Sequence, residues 1–154
     1  MPKCYQLVGI PGSGKSTWAN SQEWFLECEC ISTDKFVDAY AHDTGRTYSE
    51  VFDEIMPKAV DLMAKEVVVA REAGRDIIWD QTSTTIASRK KKFNMLPDYD
   101  HIAVVFKTPE HDELIRRLKG RIGKVIPWEV IESMIKNFET PTEQEGFKEI
   151  WFTG

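Results

Sequence analysis

The chain has 154 residues, 42% of them hydrophobic, enough for one well-cored domain and too few for two of ordinary size. A formal net charge of -5 and a pI near 5.3 argue against a protein that coats nucleic acid through overall basicity, so any polymer contact must be local. No apolar run is long enough to cross a bilayer and no charged, apolar and cleavage-site pattern opens the chain, so a cytoplasmic protein is expected.

The first element is a short buried strand, Cys4 to Val8, followed by Gly9-Ile10-Pro11-Gly12-Ser13-Gly14-Lys15-Ser16. This run fits the phosphate-binding loop G-x-x-x-x-G-K-[ST], and a helix is expected from Ser16 to Phe25. Between a strand and a helix, the glycines allow successive backbone N–H groups to turn inward around phosphate oxygens. Lys15 can then reach the β- and γ-phosphates and Ser16 can ligate Mg²⁺. The expected cofactor site therefore comprises Gly9, Ile10, Pro11, Gly12, Ser13, Gly14, Lys15, Ser16 and Thr17, with ATP and Mg²⁺ as cofactors.

A second strand is expected over Glu27 to Ser32. Its Cys28 and Cys30 share one strand face, no further C-x-x-C follows, and none of His42, His101 or His111 is nearby in sequence. Together with Cys4 they read as reduced core thiols rather than metal ligands. Asp34 follows this strand. Between Tyr48 and Ala73 the residues Phe52, Ile55, Met56, Ala59, Leu62, Met63, Val67 and Ala70 recur at helical spacing, which predicts a helix with a possible break at Pro57 and Gly74 as its C′ residue.

The third strand, Asp76 to Asp80, closes on a second acid at a strand end. Open parallel sheets bind ligands at the carboxyl ends of their strands, so Asp34 and Asp80 are candidate site residues, with helix N-capping as the alternative for each. Arg89-Lys90-Lys91-Lys92 reads as a solvated helix face, because consecutive helical residues cannot all face one groove. A fourth strand spans Ile102 to Lys107.

Arg116, Arg117, Lys119, Arg121 and Lys124 form a basic cluster, and Pro127 marks the first turn of another helix. Gly120 and Gly123 suit a mobile lid over about 116–126 that delivers arginines to a moving phosphoryl group; a solvated basic face is the alternative. A last strand is expected over Lys148 to Phe152. Strands alternating with helices predict an α/β fold, a parallel sheet with helices on both faces; with the phosphate-binding loop and a small basic lid it resembles the P-loop NTPase type, adenylate-kinase-like.

These segments together resemble the kinase domain of bacteriophage and animal polynucleotide 5′-hydroxyl kinases. The resemblance runs through Gly9 to Trp18, Ser32-Thr33-Asp34, Trp79-Asp80-Gln81-Thr82-Ser83 with Ala87-Ser88-Arg89, Arg117 to Pro127, and Phe138-Glu139-Thr140-Pro141-Thr142 with Glu145-Gly146-Phe147. It implies that Asp34 is the general base for the acceptor hydroxyl and that Arg117 and Arg121 lie in a lid over the triphosphate. Asp80, with Thr82 beside it, would organise the acceptor side. The family usually carries an Asn-Arg pair before the base, an arginine a few residues after it that grips the acceptor phosphate, and Asn-Thr-Asn after the second acid. Here those positions hold Ser32-Thr33, Val37 and Gln81-Thr82-Ser83. The expected acceptor is a 5′-hydroxyl end of DNA or RNA. A hydroxymethylated base within DNA, a small metabolite or a nucleotide sugar are the alternatives within the same chemistry, and a non-catalytic nucleotide switch is the alternative outside it. Asp34 argues against the switch, which needs no hydroxyl base beside the γ-phosphate.

Overall fold

The structure, a computed structural model, describes residues 1–153. Its strands are β1 (Lys3–Val8), β2 (Glu29–Ile31), β3 (Ile77–Trp79), β4 (Asp100–Phe106) and β5 (Glu149–Thr153). They form one sheet in the order β2-β3-β1-β4-β5, and every neighbouring pair is parallel. The helices are α1 (Lys15–Ser21), α2 (Asp34–Thr44), α3 (Tyr48–Glu72), α4 (Ile86–Met95), α5 (His111–Lys119) and α6 (Trp128–Lys136). This is the α/β, P-loop-type architecture that the alternation of strands and helices predicts.

Burial on both faces explains why the central strands are nearly continuous apolar runs. On one face Cys4, Ile31, Ile77 and Trp79 pack with Met63, Val67 and Ala70 of α3. Tyr5, Leu7, Ile78, Ile102, Val104 and Phe106 pack with Ala19 and Trp18 of α1 on the other. Trp24 stacks against Tyr5 at 4.7 Å and meets Trp18 edge-on at 5.9 Å. Those two contacts help to hold the 3-10 turn Glu23–Glu27 against the sheet. Hence α1 stops at Ser21, short of the expected Phe25, and β2 begins at Glu29 instead of Glu27.

Pro57 does not break α3. A proline inside a helix removes one hydrogen bond and crowds the preceding turn, at a cost of about 3 kcal/mol. Here α3 is anchored on both sides of it, Val51 and Ala59 packing with Val37 and Ala41 of α2, and Met63, Val67 and Ala70 packing on the sheet. The helix begins with a capping box between Thr47 and Glu50 and ends at Ala73 followed by Gly74 at φ 66°, the expected left-handed residue. Pro127 is the N-cap of α6, one position earlier than expected.

The basic run on α4 divides. Lys90 and Lys91 are exposed, as a solvated face requires, whereas Arg89 and Lys92 are buried. Arg89 makes a bidentate ion pair with Glu145 and donates to the carbonyl of Ser83 at 2.9 Å. Lys92 donates to the Ser88 carbonyl and lies over the Trp79 ring, and burial lowers its pKa to about 8. The expectation of a wholly solvated face is thus corrected. Helical spacing turned two of the four cations inward, and one of them ties the carboxyl-terminal Glu145-Gly146 segment to the loop after β3. All three cysteines are free, Cys4 buried and the others half-buried, and no metal-binding cluster of His, Cys, Asp and Glu is found among the described residues.

Candidate active site

The carboxyl ends of β1, β2 and β3 open into a cleft of about 1270 Å³. Its floor is the loop between β1 and α1, where Gly12 and Gly14 adopt φ of 85° and 94°, conformations that favour glycine. Pro11, Gly12, Ser13, Gly14, Lys15, Ser16 and Thr17 line the cleft; Gly9 and Ile10 do not. Gly9 donates to the Thr82 carbonyl at 2.9 Å, and a Cβ there would stand 2.6 Å from Ser13 Oγ. Ile10 is fully buried against Leu114 and Ile131. These two residues fasten the loop to the protein, while the following seven face the cleft.

Lys15 is buried, and its Nζ donates to the Ile10 carbonyl at 3.0 Å, so the ammonium lies under the loop. Burial lowers its pKa to about 8; Asp80 and Asp34 pull it back up and Arg121 pushes it further down. Asp80, Asp34 and Arg121 thus stand within electrostatic reach of Lys15.

Neither acid serves as a helix N-cap. Thr33 precedes Asp34 at the start of α2, and Thr85 caps α4. Asp80, just past the end of β3, accepts from Ser16 Oγ at 2.7 Å. The parallel pairing of β1 with β3 brings the two together, since the loop after one strand lies beside the end of the other. The contact sets Asp80 beside Ser16 of the loop, where the family resemblance implies a role on the acceptor side. Thr82 also lines the cleft, with its carbonyl committed to Gly9. A hydroxyl and a carboxylate in contact form a hard-oxygen pair suited to Mg²⁺, which keeps several waters and takes few protein ligands.

Asp34 also lines the cleft. Its Oδ1 accepts from the Tyr48 hydroxyl at 2.5 Å, and its backbone N–H donates to Ser32 Oγ at 3.1 Å. Burial, and then the bond to Asp34, push the Tyr48 phenol well above its usual range, so it remains a donor. Lys124 Nζ lies 4.6 Å from the Tyr48 ring centre and 3.4 Å from Asp38 Oδ2.

The basic segment has two parts. Arg116, Arg117 and Lys119 belong to the last turns of α5, and of the segment 116–126 expected as a lid only Gly120 to Ile126 is a loop. Arg116 is paired with Glu113 and does not line the cleft. Arg117 donates to the Gly12 carbonyl at 3.0 Å and to Glu113 at 2.8 Å. Arg121 lines the cleft; its backbone bonds to Leu118 and Lys124, and its guanidinium makes no ion pair or hydrogen bond among the described residues. The loop is latched across the cleft: Ser49 N–H donates to the Gly123 carbonyl at 3.0 Å, and Val125 N–H donates to Ser49 Oγ at 2.7 Å.

Sequence reasoning missed Tyr48, Ser49, Asp53 and the role of Phe52 and Met56. The latter two fall in the apolar repeat of α3, yet they line the cleft, and Phe52 remains 37% exposed. Their i, i+4, i+8 spacing with Tyr48 was visible, but nothing in the sequence said that this stripe faces a ligand instead of a core.

Residues 6–141 match the model of the AAA domain family. Among curated proteins the chain is similar to the bifunctional polynucleotide phosphatase/kinase of Schizosaccharomyces pombe, 26% identical over 150 residues that are 94% of this chain and 31% of that protein. It is also similar to the L-seryl-tRNA(Sec) kinase of Methanococcus maripaludis, 26% identical over 152 residues that are 94% of this chain and 54% of that protein. The chain thus spans about a third and about half of these two relatives. Among solved structures, a chain of the Pnkp1/Rnl/Hen1 RNA repair complex superposes with a TM-score of 0.66 at 24% identity, over 88% of this chain and 43% of that one. With the phosphate-binding loop, the parallel sheet and this match along most of its length, the chain belongs to the AAA domain family and has the fold of its P-loop kinases.

Proposed function

We propose that the protein is an ATP-dependent kinase that transfers the γ-phosphate to a hydroxyl group, with the 5′-hydroxyl end of DNA or RNA as acceptor. The observation that carries this reading is Asp34, which lines the same cleft as the phosphate-binding loop, with one carboxylate oxygen bonded to Tyr48 and the other free of protein partners among the described residues. A side chain so placed can accept the proton of a hydroxyl and orient its oxygen toward phosphorus. Similarity to a polynucleotide phosphatase/kinase and to a chain of an RNA repair complex supports the choice of acceptor.

In this mechanism Lys15 and the loop amides hold the β- and γ-phosphates, and Arg117 braces the loop through Gly12. Ser16 and Asp80 would hold Mg²⁺, which when bound neutralises phosphate charge. The acceptor hydroxyl attacks the γ-phosphorus as Asp34 takes its proton; the new O–P bond forms while the bond from the γ-phosphorus to the β–γ bridging oxygen breaks and ADP leaves. Arg121, uncommitted to any protein acceptor, offsets charge that develops on the bridging oxygen.

A second reading keeps this chemistry and changes the acceptor to a hydroxyl on a modified base or a metabolite. Val37 favours it, because the position where the resembled family places a phosphate-gripping arginine is fully buried in the cluster between α2 and α3. Transfer of labelled γ-phosphate to 5′-hydroxyl oligonucleotides, base-modified duplex and a metabolite extract tests both. Labelling of the oligonucleotides is expected, and it should fall by about 10² or more in Asp34→Asn with nucleotide affinity little changed. Labelling confined to the duplex or the extract would leave the kinase and remove the proposed acceptor.

A further inference from the structure

The amino-terminal turns of α3 turn Tyr48, Phe52 and Met56 toward the cleft, beside Asp53. The Phe52 ring stands 5.6 Å from that of Tyr48, tilted by 47°, with more than a third of its surface exposed. Packing does not require it there, since α3 is anchored through Val51, Ala59, Met63, Val67 and Ala70. An open aromatic ring one tyrosine away from the base Asp34 is placed to meet the body of the acceptor molecule whose hydroxyl reacts.

Charge narrows what that body is. Each cation of the cleft has an identifiable neighbourhood. Lys15 lies under the loop, Arg117 on Gly12 and Glu113, and Lys124 on Asp38 and the Tyr48 ring, while Arg121 stands close enough to Lys15 to depress it. Beside Tyr48 the cleft is lined by the carboxylates of Asp34 and Asp53, the cation there, Lys124, is held between the Tyr48 ring and Asp38, and Val37, where the resembled family places a phosphate-gripping arginine, is buried behind the cleft. A flat, uncharged ring is the group that an aromatic face flanked by carboxylates accepts most readily.

Resting on the nucleic-acid acceptor proposed above, we propose that Phe52, with Met56 and the Tyr48 ring, is the stacking surface for the base of the terminal nucleoside whose 5′-hydroxyl meets Asp34. The enzyme then recognises that nucleoside and not the phosphate on its 3′ side, so a free nucleoside is a competent acceptor.

The test is steady-state transfer from ATP to thymidine, thymidine 3′-monophosphate and a 5′-hydroxyl oligonucleotide, with the wild-type protein, Phe52→Ala and Phe52→Tyr. Thymidine should match its 3′-monophosphate in kcat/KM to within about tenfold, in keeping with a site that lacks a phosphate grip. Loss of one base-stacking ring should raise the acceptor KM in Phe52→Ala by roughly tenfold or more, with the KM for ATP unchanged and Phe52→Tyr close to wild type. Phosphorylation of all three acceptors with a 100-fold preference for the 3′-monophosphate over the nucleoside would overturn the inference and leave the proposed function intact. So would a Phe52→Ala effect on ATP in place of the acceptor. Failure of all three, with transfer to a base-modified duplex or a metabolite, would overturn the inference along with the acceptor on which it rests.

Discussion

Ser16 and Asp80, 64 positions apart, meet through a 2.7 Å hydrogen bond because the loop after β1 lies beside the end of β3. The bond holds Asp80 beside the phosphate-binding loop. It also offers a way to separate the two assignments open to this acid, metal-side and acceptor-side.

Asp80→Asn keeps the size of the side chain and an acceptor for the Ser16 hydroxyl while removing the negative charge. The Mg²⁺ concentration that supports half-maximal transfer should rise by roughly 10- to 100-fold, as when a group supporting a metal is lost, with the acceptor KM little changed. Titrating Mg²⁺ and acceptor separately checks this. A raised acceptor KM at an unchanged Mg²⁺ requirement would return Asp80 to the acceptor side.

Lys15 carries the pH dependence of nucleotide binding. Burial lowers its pKa to about 8, so the empty site holds the charged form below that pH and loses it above. Bound phosphates favour the ammonium, so nucleotide affinity should be flat below pH 8 and weaken above it, by at most about tenfold per pH unit. Binding titrations of ATP from pH 6.5 to 9.5 would show the bend. Lys15→Arg, whose guanidinium stays charged throughout, should remove the bend whatever its absolute affinity.

The pair Arg89–Glu145 is a stability device. Both side chains are almost wholly buried, and the guanidinium reaches Glu145 through Nε and Nη2 at 2.8 and 3.1 Å. Removal of one partner strands a buried charge, so Glu145→Ala should lower unfolding free energy by about 3–5 kcal/mol. Urea unfolding measures it. A loss below about 1 kcal/mol would mean that water reaches the guanidinium once the carboxylate is gone.

Much of this was legible beforehand for definite reasons. The loop motif encodes its own backbone geometry through Gly12 and Gly14, and strand-end positions are fixed by the parallel topology, so Lys15, Ser16, Asp34 and Asp80 all fall on one cleft. Contacts across distant segments were not legible. Nothing local to Arg89 announces Glu145, and nothing local to Tyr48 announces Asp34, because each pairing depends on how helices settle on the sheet. Pro57 misled for a related reason, a local penalty overridden by packing on both sides. Ser83 illustrates the converse. It takes φ 47° after β3, a conformation that asparagine tolerates better than most residues, and the resembled family places asparagine there.

Lid placement and transition-state charge are joined in the last prediction. Arg121 sits on a loop whose geometry is set elsewhere: Ser49 takes the Val125 N–H on its hydroxyl at 2.7 Å, and Gly123, at φ 74°, lies so close that a Cβ there would stand 3.2 Å from Thr47 Cβ. Arg121→Ala should lower kcat by about 10² or more, the usual cost of removing one group that stabilises developing charge. Arg121→Lys should recover only part of this, since an ammonium lacks the forked donor geometry. Ser49→Ala leaves the bond to the Gly123 carbonyl but loses the hydroxyl, so the loop should loosen and kcat fall by roughly tenfold, with KM for ATP moving too. If Ser49 acts by holding Arg121 in place, adding Ser49→Ala to Arg121→Ala should cost little more than Arg121→Ala alone. Full additivity of the two losses in that double-mutant cycle would show that the latch serves some other part of the cleft.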